Sequence, residues 1–600
     1  MDRSSDIEVE YGQRLAALRL QLARDERRHV TLGNVRLAIV AVGLLLLWRL
    51  GTAGAVWLLV PFAAFVLVGI RHGRAIVRMA RTKRVIAHYE DGLARIRHEW
   101  IGRGRTGDGF RPADHLYADD LDLFGRGSLF ELLATTRTRA GEETLARWLL
   151  VPAPHDEARA RQQAVRELAG RTDLREVIAA LGEDVTVAVD APVLRRWASA
   201  DTTPVSPSLR IGLAALAATT MASLVWWWST DTAGGLPAAL LVGQILVALR
   251  LRPRVAAVEQ AIDEPAHDLD VLAGLLRMIE QEQFTCPHLQ HLQASLAGGG
   301  RPASAEIAGL SRRVALLASR RNVLFALPAA LMLWGTQWAL AIEAWRDRAG
   351  RRIPHWLDVV GEFEALVALG GFAAEHPDYV FPELIDGPAQ VRADALAHPA
   401  LGTAGVANDL ALGGDAPRLM VVSGSNMSGK STWLRTIGTA VVLARMGAPV
   451  RARAMTLTPL AIGASIRVLD SLTEGRSRFF SEVLRLKAIV DLARQRPGTV
   501  LFLLDEILSG TNSHDRRIGA EAIMTTLVRT GAVGLVTTHD LALAAVPERL
   551  VDEAANAHFA DQFVDRQMTF DYRLRPGVVQ TSNALALLQA AGIDVRASGE

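Results

Sequence analysis

A short apolar run, Leu419-Met420-Val421-Val422-Ser423, leads directly into Gly424-Ser425-Asn426-Met427-Ser428-Gly429-Lys430-Ser431, and the helical stretch TWLRTIGTAVVLARMG follows. Few patterns constrain a fold as tightly. A strand that enters a GxxxxGK loop and leaves it as a helix aims several backbone N–H groups at one spot, with the positive end of the helix behind them. The glycines let the backbone close around an anion. The pattern predicts a phosphate-binding loop for ATP, with Lys430 reaching the β- and γ-phosphates and Ser431 ligating Mg²⁺.

The surrounding sequence suits such a loop. From about residue 385 onward, short β-branched runs alternate with helical segments, as α/β units do. GTVLFLLDE and AVGLVTTHD are two further apolar strands that end in polar residues, and open α/β sheets bind ligands at those ends. Asp505, at the tip of the first, is expected to hold Mg²⁺, directly or through water. Glu506 beside it is expected to orient and deprotonate the attacking water. His539, at the tip of the second, is a candidate γ-phosphate sensor.

The rest of the chain has a different character. Half of its 600 residues are hydrophobic, and they are concentrated in blocks. Leu37 to Ile70 contains one charge, Arg49, and its second half, Gly51 to Ile70, is uncharged over the ~20 residues that a helix needs to cross a bilayer. Ile211 to Leu249 contains only Asp231 and divides at STDTAGG, beside Trp226, Trp227 and Trp228. Both blocks read as transmembrane helical hairpins, the tryptophans as an interfacial belt. Buried hairpins of a soluble protein are the alternative, although paired spans of this length seldom occur in soluble cores.

Arg27, Arg28 and Arg36 precede the first hairpin, with Arg71, Arg74, Arg78, Arg81, Lys83 and Arg84 after it. Arg195, Arg196 and Arg210 precede the second, with Arg250, Arg252 and Arg254 after it. This bias puts both ends of each hairpin in the cytoplasm, with the turns near Thr52 and Asp231 outside. A third uncharged run, Val323 to Ile342, is expected to be a buried core helix, because a single crossing there would carry the ATP site out of the cytoplasm.

Several domains are expected at this length. Residues 1–105 hold an N-terminal helix and the first hairpin (spans about 35–50 and 52–70), 106–208 the first part of a helical core, and 209–252 the second hairpin. Residues 253–384 hold the second part of the core and 385–600 the ATPase domain. The net charge of +2 gives no nucleic-acid footprint by itself. Cys286, the only cysteine, excludes a disulfide framework and fits a reducing compartment. The charged N-terminus has no apolar stretch of the signal-peptide kind.

Four segments taken together, SGSNMSGKST, EGRSRFFSEVLRLK (474–487), DEILSGTNSHDR (505–516) and TTHD, resemble the ATPase domain of the MutS mismatch-repair family in order and spacing. HPAL and ANDLAL upstream, and FDYRLRPGVVQTSNALALLQAAGI downstream, extend the resemblance. Residues 128–168 are similar, less strongly, to the start of that family's helical core. The layout as a whole looks like a membrane-associated MutS-like subgroup.

The resemblance implies an α/β P-loop NTPase domain of the ABC/MutS type joined to an all-α core with the two transmembrane hairpins. By position, Asn426, Lys430, Ser431 and Thr432 would belong to the nucleotide loop, and Asp505 and Glu506 would form the Mg²⁺ and water-activating pair. Ser509, Gly510, Thr511, Asn512 and Ser513 match the family's loop that reaches the other subunit's nucleotide, which implies a homodimer with two composite sites. The resemblance also brings DNA as a partner. It departs from the family in lacking a mismatch-reading domain with its Phe-x-Glu wedge, in a clamp region replaced by a hairpin, and in Gly405 or Val406 where an adenine-stacking aromatic is expected.

The leading expectation is a membrane-anchored, ATP-hydrolysing dimer in a bacterial-type inner (plasma) membrane, with the ATPase domain cytoplasmic and coupled to DNA binding or mismatch repair. The alternative is a mechanochemical membrane ATPase or transporter-like motor that does not act on DNA. A transporter motor of the ABC type has LSGGQ before its second acidic strand, whereas LSGTN (508–512) follows Asp505-Glu506 here. A scaffold that only senses ATP is disfavoured by intact Lys430, Asp505 and Glu506.

Overall fold

The computed structural model describes the chain except residues 1–2, 51–55, 182–190, 200–204, 231–233, 263–267, 299, 323–324, 426, 468–477, 541, 551, 565–566 and 579–600. The turns expected near Thr52 and Asp231, the loop residue Asn426, the start of the 474–487 segment and the end of the sequence therefore lie outside the described residues.

The N-terminal helices Arg3–Leu50 and Leu59–Ile96 lie against each other as a long antiparallel pair. Their two ends follow different rules. Toward the connection the apolar side chains face outward, with Leu37, Trp48 and Phe62 all more than 60% exposed. Toward the termini the pair is amphipathic, and Tyr11 meets Tyr89 edge to face at 5.0 Å beside Leu15, Val85 and Leu93. This end is fastened to the helical core. Arg95 makes two 2.6 Å hydrogen bonds to the buried Glu375 carboxylate, and Tyr89 donates to Glu176 at 2.7 Å.

The core is organised around helix Ile353–Glu375, which is buried along most of its length and packs against helices Arg139–Leu150 and His155–Ala169. Thr138 caps the first of these through the N–H of Gly141. A second pair, Pro207–Thr230 and Gly235–Ile262, again turns apolar side chains outward, including Ile211, Trp228, Val242 and Leu246. Among the described residues four helices are long and apolar enough to cross a membrane.

The run Val323–Ile342 departs from the expected single core helix. Ala326–Leu331 is a short helix, Leu333 reverses the chain with φ +49°, and Trp334–Ala349 is a separate helix. Only the second is buried in the core; Leu327 of the first is 72% exposed. Pro328 and Gly335, both poor helix formers, flank the break.

The α/β part contains ten strands: β1 (Glu383–Leu384), β2 (Gln390–Leu396), β3 (Asn408–Gly413), β4 (Leu419–Ser423), β5 (Ala454–Leu457), β6 (Ala461–Ser465), β7 (Val500–Asp505), β8 (Val533–Thr538), β9 (Ala554–Val564) and β10 (Gln567–Pro576). A four-stranded sheet has the order β1-β5-β2-β3, and a six-stranded sheet the order β10-β9-β4-β8-β7-β6. In the larger sheet every pairing is parallel except that of β9 with the edge strand β10.

Both faces of this sheet are covered, which is why its strands read as continuous apolar runs. Leu501 and Leu503 of β7 share a core with Leu434, Ile437 and Val441 of helix Lys430–Met446. Phe502 and Leu504 point the other way, to Leu486 and Ile489 of helix Arg478–Gln495 and to Met524 and Leu527 of helix Ser513–Arg529. The three expected strands β4, β7 and β8 are adjacent, and their C-terminal ends meet at one edge.

Candidate nucleotide-binding site

β4 ends at Ser423, and the loop that follows depends on two glycines. Gly424 has φ +150°, and a Cβ there would lie 2.8 Å from Ser428 Oγ and 3.1 Å from the Phe559 carbonyl. Gly429 has φ +99°, and a Cβ there would lie 3.0 Å from Tyr572 Cδ1. Any side chain at either position would be strained and would fill the loop. Ser428 tightens it further by donating from its hydroxyl to Ser425 O at 2.8 Å. Met427 and Thr432 are exposed at its rim, while Ser431 is half-buried on the first turn of the helix.

Lys430 opens that helix with its side chain only 3% exposed. Its ammonium donates to Gly424 O at 2.6 Å and Ser425 O at 2.8 Å, and lies 3.5 Å from Glu506 Oε1. Glu506 Oε1 in turn lies 3.4 Å from His539 Nδ1. Four of the expected residues, Lys430, Asp505, Glu506 and His539, are thus brought together by three neighbouring strands. Asp505 accepts a hydrogen bond from the Thr537 hydroxyl, which holds its carboxylate across the β7–β8 seam.

Immediately after β7 the backbone becomes unusual. Glu506 has φ +46° and Leu508 φ +57°, a left-handed region that ordinary side chains enter at a cost of about 1–3 kcal/mol each. Two contacts hold the turn. Glu506 N–H donates to Thr537 O at 3.2 Å, and Leu508 N–H donates to the buried carboxylate of Glu482. Of the residues that follow, Ser509 and Gly510 are exposed and Thr511 is half-buried. Arg516 ties their carbonyls back, donating to Ser509 O at 3.1 Å and Thr511 O at 3.3 Å. Among the described residues no hydrogen bond or ion pair joins 509–511 to Lys430, Asp505, Glu506 or His539.

Residues 420–597 match the family profile of MutS domain V. The chain carries a MutS domain V. The DNA mismatch repair protein MutS 1 of Halobacterium salinarum is 36% identical over 261 residues, which is 42% of this chain and 29% of the relative. MutS 2 of the same organism is 32% identical over 257 residues, 41% of this chain and 29% of the relative. The DNA mismatch repair protein MSH3 of Phaeosphaeria nodorum is 30% identical over 246 residues, 39% of this chain and 22% of the relative. The chain therefore spans less than a third of the length of these curated relatives.

Four residues at this site were not singled out from the sequence. Thr537 orients Asp505, and the TTHD motif that contains it was the available signal. Glu482 anchors the Leu508 turn from inside the 474–487 segment. Tyr572, 43% exposed and stacked on Phe570 at 6.0 Å, sits over Gly429. Its carbonyl accepts from Asn408 Nδ2 at 3.0 Å, so the smaller sheet helps to position it. Asp120, from the helical half, binds the backbone of Ile466 and Arg467 just before the undescribed segment.

Proposed function

We propose that this chain is a membrane-anchored MutS-family ATPase that binds and hydrolyses ATP with Mg²⁺ in a site completed by a second copy of the chain. The observation that carries this reading is the convergence of Lys430, Glu506 and His539 at the tips of β4, β7 and β8. The two-glycine cradle, the helix N-terminus at Lys430 and the Ser431 and Asp505 oxygens suit a nucleotide triphosphate with its magnesium. Ser431 and Asp505 would hold Mg²⁺, which would neutralise charge on the phosphate oxygens. Thr537 keeps the Asp505 carboxylate in one orientation, and Glu506 orients and deprotonates the attacking water. The exposed ring of Tyr572 is a surface on which a base could stack.

Dimerisation is supported by the exposed Ser509 and Gly510 and by the exposed apolar side chains Phe480, Leu484 and Ile518 on the neighbouring helices. Membrane anchoring in a bacterial-type inner membrane is supported by the four long apolar helices and by their basic flanks. The relatives' names point to DNA as the partner. A second reading, mechanical work on the membrane without DNA, is favoured by the fastening of the first hairpin to the core through Arg95 and Glu375.

ATP hydrolysis by the detergent-solubilised full chain, with and without duplex, mismatched and branched DNA, tests these readings. Stimulation by one DNA form supports the first, hydrolysis indifferent to every DNA form supports the second, and no Mg²⁺-dependent hydrolysis under any condition rejects both.

A further inference from the structure

The short helix Ala326–Leu331 is held at an unexpected height. Gln244 carries the only polar side chain in the run Gly235–Leu249, and it is 3% exposed. Its amide donates to the Leu331 carbonyl at 3.2 Å. The last carbonyls of a helix have no intrahelical partner, and away from water each must find a donor within the protein. Gln244 supplies that donor from the apolar part of its own helix, which would otherwise have no use for a polar group.

The height can be placed along helix Gly235–Ile262. The basic collar begins at Arg250, six residues beyond Gln244, or about 9 Å at ~1.5 Å per residue. The end of the short helix therefore stands about 9 Å beyond the collar, near the level of Ile245 and Leu246, which are themselves exposed. That is well short of the ~30 Å needed to cross hydrocarbon. Leu327 is 72% and Met332 38% exposed, so the tip presents apolar side chains outward. Leu333, with φ +49°, then turns the chain inward and is buried against Leu213 and Leu340. Arg320 lies before the excursion and Arg346 after it, so both ends of the segment return to the basic side. A cavity of about 940 Å³ lies between the segment and helix Gly235–Ile262, with Ile245 and Ala330 at its apolar side and Arg252, Arg321 and the Arg320–Glu259 ion pair at its charged side.

We infer that residues 325–333 form a re-entrant wedge, inserted into the cytoplasmic leaflet beside the second hairpin without crossing the membrane. Its occupant is lipid. Acyl chains cover Leu327 and Met332, and the phosphates of anionic headgroups meet the exposed Arg252 at the collar. Continuity with the outward apolar face of helix Gly235–Ile262 selects lipid over a protein partner, since both surfaces lie at one level. The inference rests on the reading of that helix as a membrane span.

The test uses the full chain with Cys286 replaced by alanine and a single new cysteine, Leu327→Cys, Met332→Cys or Leu246→Cys, labelled with bimane. The labelled protein is reconstituted into phosphatidylethanolamine–phosphatidylglycerol vesicles carrying nitroxide lipids. At positions 327 and 332 the expected result is strong quenching by a nitroxide near the glycerol end of the acyl chain, weaker quenching by one near its methyl end, and little quenching by aqueous iodide. At position 246 lipid quenching is expected as well. Lipid quenching at 246 together with iodide access at 327 and 332 would overturn the wedge and leave the hairpin standing. Iodide access at all three would overturn both.

Discussion

Asp120, in the loop that leads into the helical core, is fully buried and receives a 2.6 Å hydrogen bond from Arg485 of the α/β half. Its other carboxylate oxygen accepts from the N–H groups of Ile466 and Arg467 at 2.7 and 2.8 Å. Its carbonyl accepts from Arg435, which lies one turn and a half along the helix opened by Lys430. The carboxylate thus ties the helical half to helix Arg478–Gln495 and to the Ile466–Arg467 backbone, and the carbonyl of the same residue adds the nucleotide-loop helix. Burial pushes the Asp120 carboxyl above its ordinary value, and Arg485 and the two N–H groups oppose that shift. Asp122 nearby pairs with Arg435 and Arg467 but is partly exposed.

The two aspartates should therefore respond differently to removal. Asp120→Ala strands two N–H groups and takes one partner from the partly buried Arg485, which keeps only the His115 carbonyl, and a loss of about 3 kcal/mol is expected. Asp122→Ala removes partly solvated pairs, and a loss of ~1 kcal/mol or less is expected. Thermal unfolding of the two variants in the same detergent measures the difference; equal destabilisation would show that Asp120 is not the joint.

Glu364 offers a test in pH. It is fully buried, caps the start of helix Arg139–Leu150 through Arg137 N–H at 2.7 Å and Thr138 N–H at 3.2 Å, and burial pushes its carboxyl up to about 7 from an ordinary 4.5. Between those values the folded chain keeps a proton that the unfolded chain has lost. Its contribution therefore favours folding fully below pH ~4.5 and is lost as pH rises through about 7, on the order of 3 kcal/mol in all. Relative to wild type, Glu364→Gln is expected to gain stability between pH 5 and pH 8, read by chemical unfolding at a series of pH values. A wild-type-minus-variant difference that is flat in pH would contradict this.

The shared site makes a prediction about mixtures. Ser509→Ala and Thr511→Ala are expected to lower turnover by roughly tenfold or more while changing ATP affinity little, because the loop would act on the partner's nucleotide in the transition state. Mixing Lys430→Ala with either loop variant should restore part of the activity, since one of the two composite sites then has both halves intact. Mixed dimers that form and recover nothing would reject the shared site.

Much of the α/β half was legible from sequence for a physical reason. A sheet covered on both faces needs uninterrupted apolar strands, and polar residues can appear only at their ends. Ser423, Asp505 and His539 mark three of those ends. What could not be read depends on contacts distant in sequence or on direction. Tyr572 reaches Gly429 because the sheet order sets β9, and beyond it β10, next to β4. The Asp120–Arg485 pair joins segments 365 residues apart. The uncharged run Val323–Ile342 announced its length but not its reversal at Leu333, because hydropathy carries no information about where a chain turns back.

The most direct measurement compares Lys430→Ala with Glu506→Gln for ATP binding and for phosphate release. Lys430 would bind phosphate in the ground state, whereas Glu506 would act mainly in the transition state. Lys430→Ala is expected to lose nucleotide binding, and Glu506→Gln to bind ATP nearly as wild type while phosphate release falls by about two orders of magnitude or more. Equal loss of binding in both variants, or wild-type phosphate release from Glu506→Gln, would contradict the roles assigned to these residues.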